Sequence, residues 1–473
     1  MSFMNKIRRV YQRNNGVKYV ARKMETFGEI GVFMVLYFLV WKYFYREEGN
    51  NMFYFNGKYV MVSLYGLLIL MVFSSYGSFK FGYLKRLDLL TGQWIGLLIV
   101  NFITYLQIAL IANKVLDVWP MLLLTVAEYL ISFAAVVVFS KLYHVMHEPK
   151  NTIMVYGTQN ARALEEKVNQ RADIYHISKA VAADEMPFEE LLKEISRFDA
   201  VMLNDLKAEQ RNDILKYCYG KKIRTYVVPK LTDIILRHAD DIDLFDTPMV
   251  LSKGLGPTQN QLVVKRALDI LFCILALIPG LPIMLAVAVA IKLDDHGPVF
   301  YKQKRVTRNE RIFNMLKFRS MIVDADKQDA FLPATDHDPR ITRVGRFIRA
   351  TRIDELPQLL NILKGDMSIV GPRPEPDKLY EQYYAEIPEF RFRTKMKGGL
   401  TGYAQVYGKY NTSAYDKIRL DLMYIEDYSL LLDIKLIFLT LQTMIKPGAT
   451  EGFAQQDPSA EHGKGGSSVD GAA

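Results

Sequence analysis

Residues 267–291 read ALDILFCILALIPGLPIMLAVAVAI, with no charge after Asp269. As a helix this stretch is long enough to cross about 30 Å of hydrocarbon. Yet Pro279, Gly280 and Pro282 stand at its middle. Each proline withholds a backbone donor and bends a helix. The two halves then have re-entrant rather than spanning length. Both flanks are cationic, with Lys265 and Arg266 before the stretch and Lys302, Lys304, Arg305, Arg308 and Arg311 after it. Cations hold to the cytoplasmic side. A segment that enters and leaves by one leaflet satisfies both flanks, whereas a straight crossing would export the basic region downstream. The expectation is a helix–break–helix over 262–293, broken at Pro279 and Pro282.

Upstream, apolar stretches at 27–46, 59–79, 93–113 and 119–142 are each near the ~20 residues of a spanning helix. A basic arm precedes them over 1–26, with no compact apolar core before a small-residue cleavage site. The loop with Lys80, Lys85 and Arg86 is also basic, so the positive-inside rule puts the N-terminus in the cytoplasm. Four crossings over 27–146 return the chain there at Lys150. Trp41, Trp94 and Trp119 are expected at interfacial helix ends.

The whole chain has 473 residues, a net charge of +9 and 50% apolar residues, which excludes a disordered protein. A basic surplus points to nucleic acid or to anionic lipid and phosphate. The hydrophobic segments favour the second, and no nucleic-acid partner is expected. Two distant cysteines, Cys218 and Cys273, exclude a disulfide framework and a cysteine-ligated zinc site.

Residues 150–250 change character. The strand Thr152-Ile153-Met154-Val155-Tyr156 ends at Gly157, and further strands are expected at 200–203 and 223–228, with helices at 161–170 and 213–219. Alternating strands and helices imply a small Rossmann-like parallel sheet. Its first turn, Gly157-Thr158-Gln159-Asn160, lacks the glycines that let a backbone approach pyrophosphate. A scaffold or oligomerisation role suits it better, compatible with a homodimer. Residues 251–261 read as a linker.

Four clusters lie in 294–449. Lys317-Phe318-Arg319-Ser320-Met321 ends a strand starting near Arg311, and alternation places Lys317 and Arg319 on one face. Asp354-Glu355-Leu356-Pro357-Gln358 follows Arg340, Arg343, Arg346, Arg349 and Arg352. Its carboxylates read either as a helix cap or as a site. An apolar stripe of Leu356, Leu359, Leu360 and Leu363 follows. Gly371-Pro372-Arg373-Pro374 holds an arginine fork in stiff backbone, a geometry suited to phosphate or to an ordinary turn. Lys397-Gly398-Gly399-Leu400-Thr401-Gly402 through Lys409 permits close backbone approach. Asp421 and Asp433 read equally as ion-pair partners or site residues. Together the clusters describe phosphoryl chemistry. Cations neutralise a diphosphate, one carboxylate attacks phosphorus, and its neighbour holds Mg²⁺.

The order Lys-Phe-Arg-Ser-Met, Asp-Glu-Leu-Pro-Gln, Gly-Asp-Met-Ser-Ile-Val-Gly-Pro-Arg-Pro and Gly-Leu-Thr-Gly-Tyr-Ala-Gln-Val over 262–450 closely resembles the bacterial sugar transferases, the polyprenyl-phosphate hexose-1-phosphate transferases. The long form of that family adds four transmembrane helices and a Rossmann-like domain, which residues 27–250 resemble. The resemblance implies a monotopic, α-rich phosphoglycosyl transferase domain at the cytoplasmic face of the bacterial inner membrane. It implies Asp354 as nucleophile and Glu355 as its dyad partner, the pair also holding Mg²⁺. Lys317, Arg349 and Arg373 match phosphate-site positions, and Arg319 and Lys409 join them as candidates. One departure is Lys409, where many members carry arginine. The implied substrates are a UDP-sugar and undecaprenyl phosphate, UMP is released, and an exopolysaccharide, capsule or O-antigen repeat begins. The Gly/Ser-rich residues 450–473 fall outside the motifs and are expected to be disordered.

Two rival readings fit the sequence less well. A membrane nucleotide-sugar dehydratase would need a glycine-rich NAD site and a Tyr-x-x-x-Lys pair, and no such glycine fingerprint follows residue 262. A non-enzymatic assembly scaffold would not need the intact Asp354, Glu355 and Arg373 clusters.

Overall fold

The computed structural model describes residues 15–46, 57–81, 84–146, 149–157, 161–169, 175–254, 256–323, 338–408 and 412–445. Most of the basic arm, Lys409 and residues 450–473 lie outside the described residues. The chain divides into two compact units, 1–233 and 234–473.

The first unit opens with four long helices: α1 (Asn15–Val40, continued by a π-turn, Trp41–Tyr45), α2 (Gly57–Tyr76), α3 (Arg86–Ala112) and α4 (Trp119–Met146). All four are long and apolar enough to cross a membrane. They meet through aromatic and polar groups. Tyr37 stacks on Tyr65 at 4.3 Å between ring centroids. The Tyr65 hydroxyl lies 2.5 Å from Glu128 Oε1, and Asn101 Nδ2 donates to Glu128 Oε2 at 2.7 Å. Where lipid offers no hydrogen bonds, such contacts fix helix register. Trp119 is exposed at the start of α4 as expected, and Trp41 is buried at the π-turn. Trp94 lies well inside α3, stacked on Tyr129, because α3 begins at Arg86 rather than near residue 93.

A parallel sheet follows, in the order β2-β1-β3-β4. Its strands are β1 (Lys150–Tyr156), β2 (Tyr175–Ala182), β3 (Ala200–Asn204) and β4 (Arg224–Val227). They are joined by α5 (Ala161–Asn169), α6 (Phe188–Ile195) and α7 (Ala208–Lys221). Strand β3 is buried throughout, as a central strand covered on both faces should be. Helix α8 (Leu231–Arg237) straddles the division between the units. The hairpin β5 (Asp240–Leu244) and β6 (Thr247–Leu251), expected with the Rossmann-like segment, groups with the second unit.

The second unit is organised on α9 (Gln259–Asp295), a helix of 37 residues opened by a Thr258–Gln261 capping box. At about 1.5 Å per residue it is ~55 Å long. The expected break at Pro279 and Pro282 does not interrupt it, and both prolines lie inside the helix. They sit on its exposed side. There a missing donor leaves a carbonyl unpaired without ending the helix, a cost membrane helices tolerate. The opposite side is buried at Lys265, Asp269, Cys273, Leu277, Gly280, Met284, Val287 and Ile291, the three-four spacing of one helix face.

That face packs on Phe313, Met315, Phe318, Ile348, Leu359, Ile362 and Met367. Both ends are pinned to the same unit. Near the start, Lys265 Nζ meets Asp433 Oδ2 at 2.5 Å, and Asp269 accepts from Ser368 Oγ at 2.8 Å and from the Ile369 amide at 3.0 Å. At the far end Asp295 pairs with Arg319, and Asp294 accepts from the Val344 amide at 3.2 Å.

The remaining elements are the antiparallel pair β7 (Phe300–Val306) and β8 (Ile312–Phe318), α10 (Arg343–Ala350), a 3₁₀ turn (Ile353–Glu355) and α11 (Gln358–Lys364). Strand β9 (Ser368–Val370), α12 (Asp377–Glu386), a 3₁₀ segment (Pro388–Lys395) and β10 (Gly399–Thr401) come next. Short α13 (Tyr403–Tyr407), α14 (Ala414–Glu426) and α15 (Leu430–Ile445) close the unit.

The two faces of α9 differ in what truncation costs. Met284 is 7% exposed and its neighbour Leu285 is 69% exposed. Met284→Ala should destabilise the solubilised protein by about 2–5 kcal/mol. Leu285→Ala should cost under ~0.5 kcal/mol. Thermal unfolding of both variants in one detergent checks this, and equal losses would mean that α9 is not packed by face.

Candidate active site

Strand β8 has a partner on each side. Along one edge it pairs with β7. Along the other, the buried Asn361 side chain acts as a short strand, its Oδ1 accepting from the Leu316 amide and its Nδ2 donating to the Asn314 carbonyl, both at 2.9 Å. An amide side chain carries both donor and acceptor, so it can cap an open ladder in this way. The contact locks α11 to β8 and fixes where Lys317 stands relative to the turn just before α11.

That turn carries the adjacent carboxylates. Helix α10 ends at Ala350, and Arg352 then takes a left-handed conformation, φ 55°. A non-glycine residue pays about 1–3 kcal/mol for it. The reversal starts the 3₁₀ turn that holds Asp354 and Glu355. Lys317 Nζ donates to Glu355 Oε1 at 3.1 Å. Arg373 Nη2, from the turn after β9, donates to the same oxygen at 3.2 Å. Asp354 accepts no hydrogen bond among the described residues, and Arg349 and Arg352 bear on it through their charge.

The two carboxyls are driven apart. Burial alone would raise the Glu355 carboxyl, but Lys317 and Arg373 outweigh it and hold the group far below the usual range. Burial pushes the Asp354 carboxyl up; Lys317 opposes the rise and Glu355 adds to it. Burial also pushes the Lys317 ammonium down, with Glu355 resisting. Neighbouring acids separated in this way take different roles.

Of the sequence candidates, Lys317, Asp354, Glu355 and Arg373 thus come together, with Arg349 close by. Arg319 does not join them. The strand ends at Phe318, and the Arg319 guanidinium forks onto the Asp295 carboxylate and donates from Nε to the Pro298 carbonyl at 2.6 Å. A bidentate carboxylate partner at the end of α9 outcompetes a place on the strand face. Asp421 and Asp433 are ion-pair partners, of Arg393 at 2.8 Å and Lys265 at 2.5 Å. In the apolar stripe Leu359 is buried, but Leu360 is 38% exposed and Ile362 takes its place in the core.

The sequence reading missed the support of the Gly-Pro-Arg-Pro turn. Proline has no N–H, so Pro372, Pro374 and Pro376 supply no amide donors to hold it. Outside donors do so instead. The Pro372 carbonyl takes the Gly399 amide at 2.9 Å, Arg373 takes Arg393 Nη2 at 2.8 Å, Pro374 takes Arg305 Nη1 at 2.7 Å, and Glu375 takes the Val306 amide at 3.0 Å. Gly371 and Gly399 lie so close that a Cβ on either would strike the other segment's backbone.

Among the described residues no group of three or more His, Cys, Asp or Glu gathers as a metal cage. The Asp354 carboxylate, which accepts no hydrogen bond among the described residues, offers oxygens of the kind Mg²⁺ takes, whereas Oε1 of Glu355 is already bound by Lys317 and Arg373.

A sequence family described as bacterial sugar transferase matches residues 260–447. The UDP-N-acetylgalactosamine-undecaprenyl-phosphate N-acetylgalactosaminephosphotransferase of Aeromonas hydrophila is 38% identical over 53% of this chain and 59% of its own. The UDP-glucose:undecaprenyl-phosphate glucose-1-phosphate transferase of Klebsiella pneumoniae is 41% identical over 51% of each chain. Against these two relatives the chain spans about half of their length. The exopolysaccharide production protein PSS of Rhizobium leguminosarum bv. phaseoli is 40% identical over 40% of this chain and 98% of its own.

The depressed Glu355 carboxyl sets a pH dependence. A group held lower in the fold than in the unfolded chain stabilises above its unfolded value, about 4.3 for glutamate, and that stability is lost as pH falls toward the folded value. The stability gap between wild type and Glu355→Gln should therefore be full at neutral pH and shrink on acidification below about pH 4.3. Thermal midpoints from pH 7 to pH 3 read this, and a gap independent of pH would mean that Glu355 is not held ionised by its partners.

Proposed function

The chain belongs to the bacterial sugar transferase family, and on that premise we propose that it transfers a hexose-1-phosphate from a UDP-sugar to undecaprenyl phosphate. The relatives' names supply the two substrates. One observation carries the assignment of roles: two neighbouring carboxylates, one committed to two cations and one left free. Asp354 is the nucleophile. Its raised affinity for protons makes it the more basic of the pair, and no hydrogen bond among the described residues ties its oxygens. Glu355 keeps its charge and holds Lys317 and Arg373 toward the diphosphate.

The reaction then runs in two displacements. An Asp354 carboxylate oxygen attacks the sugar-bearing phosphorus, the bond to the bridging oxygen breaks, and UMP leaves with that electron pair. An oxygen of undecaprenyl phosphate next attacks the acyl-phosphate phosphorus and frees the Asp354 carboxylate. The product is the lipid diphosphate-linked sugar, which starts an exopolysaccharide, capsule or O-antigen repeat. Arg373 offers a fork to the phosphate oxygens and Lys317 a point charge. Arg349 adds a cation near Asp354. Mg²⁺, held by Asp354 and Glu355, would neutralise diphosphate charge when bound.

The membrane arrangement follows from α9. Both of its ends are fixed to one compact unit. A helix crossing the bilayer would need that unit on both sides at once. The outward face carries Leu271, Phe272, Ile274, Leu275, Ile278 and Leu281, all exposed. Such a face belongs in lipid. On this reading α9 lies along the inner leaflet with its exposed face in lipid and both ends on the cytoplasmic side, α1 to α4 span the inner membrane, and the site faces the cytoplasm where UDP-sugars are.

Two experiments test the proposal. Incubation with UDP-sugar and no lipid should release UMP and leave a hexose phosphate on the Asp354 peptide, seen by mass spectrometry and absent in Asp354→Asn. An adduct that persists in Asp354→Asn would exclude this nucleophile. For topology, single cysteines replacing Ser252 and Asn309, in a background lacking Cys218 and Cys273, should both resist an impermeant thiol reagent in intact cells and react after lysis. Labelling of the Asn309 position alone in intact cells would mean that α9 crosses.

A further inference from the structure

We propose that Arg305 is a positioning residue that acts through the Pro374 carbonyl to set where Arg373 meets the sugar diphosphate. This rests on the transfer reading above and concerns a residue outside the dyad.

The turn 371–376 is stiff but supplies few donors of its own. Its shape therefore belongs to the groups that bind its carbonyls. Two of those carbonyls, on Arg373 and Pro374, are bound by guanidinium groups, of Arg393 at 2.8 Å and Arg305 at 2.7 Å. The pair grips the backbone at Arg373 and at the residue after it.

Each guanidinium is itself aimed. Arg305 is oriented by Gln303, two residues back on the same face of β7, whose Oε1 accepts from Nε at 3.0 Å and Nη2 at 2.6 Å. A planar fork bound on one edge to Gln303 leaves Nη1 pointing at Pro374. Arg393 is 4% exposed and lies between Glu375 and Asp421, at 3.5 Å and 2.8 Å.

Arg305 also lies within the electrostatic reach of the site. Burial depresses it to about 10, the Arg373 cation adds to that, and Glu375 and Glu355 resist. An isolated cation would not be kept in such a place. Its charge is tolerated because Glu375 and Glu355 face it, and the fork makes it useful. Arg393 is less suited to a test, since its loss would strand the buried Asp421 carboxylate, whose ion-pair partner it is.

The test is a double-mutant cycle in the full-length protein in detergent, with UDP as probe and calorimetry as readout. Arg305→Lys keeps the charge but cannot hold Gln303 and Pro374 in one fixed fork. It should weaken UDP binding by about tenfold, equal to ~1.4 kcal/mol, and leave the thermal midpoint within error. In an Arg373→Ala background the same substitution should change UDP binding less than twofold. A purely structural role predicts equal losses in both backgrounds, and that result overturns the proposal. So does full UDP affinity in Arg305→Lys. If Arg305→Lys does not fold, Gln303→Leu, which removes the orienting oxygen and spares the charge, takes its place in the cycle with the same criteria. Wild type that binds UDP but releases no UMP from UDP-sugars defeats the transfer reading alone and leaves the cycle readable. Wild type that does not bind UDP defeats both.

Discussion

Glu355 sits between Lys317 and Arg373, and three remote stretches of chain depend on that meeting. A carboxylate out of water is costly unless charge and hydrogen bonds surround it. The strand end at Lys317, the 3₁₀ turn at Asp354 and the proline turn at Arg373 must therefore arrive together. Each is held by a separate device: Asn361 for the strand, the left-handed Arg352 for the dyad, and outside donors for the proline turn. None of these devices is apolar. The hydrophobic contact of α9 with Phe318, Leu359 and Ile362 builds the platform below them.

Much of the fold could be read from periodicity. The apolar stretches become α1 to α4 because a continuous apolar run of ~20 residues satisfies its own backbone as a helix. Strands β1, β3 and β4 show as short apolar runs. Strand β2 (Tyr175–Ala182) escaped notice because it is largely exposed, so no apolar pattern marks it. The continuity of α9 escaped for the opposite reason. Two prolines forbid two hydrogen bonds, but the neighbouring turns and the packing of one face outweigh that loss.

For the site, residue type was legible and geometry was not. Asp354, Glu355, Lys317 and Arg373 stand out as charges in stiff or glycine-rich settings. Arg319 looks equivalent to Lys317 in sequence, and only the presence of Asp295 24 positions earlier removes it. Arg305 reads in sequence only as part of the basic flank, and Arg393 carries no motif that singles it out. Their tasks are set by carbonyls 69 and 20 positions away, a relation that no local pattern encodes. The one usable signal is chemical: three prolines within five residues leave carbonyls that something outside must bind.

The distribution of apolar surface separates the roles of the two halves. Helix α9 exposes a row of large apolar side chains along one face while its other face forms part of the core beneath the site. Core contact and apolar exposure are thus two sides of one element. That apolar row belongs to the same unit as the candidate site, so the unit carries apolar surface of its own apart from α1 to α4. The position of Asp354 and Glu355 relative to that row is governed by how α9 seats on Phe318, Leu359 and Ile362. The same contacts that stabilise the unit therefore set how far the two carboxylates stand from the exposed apolar row.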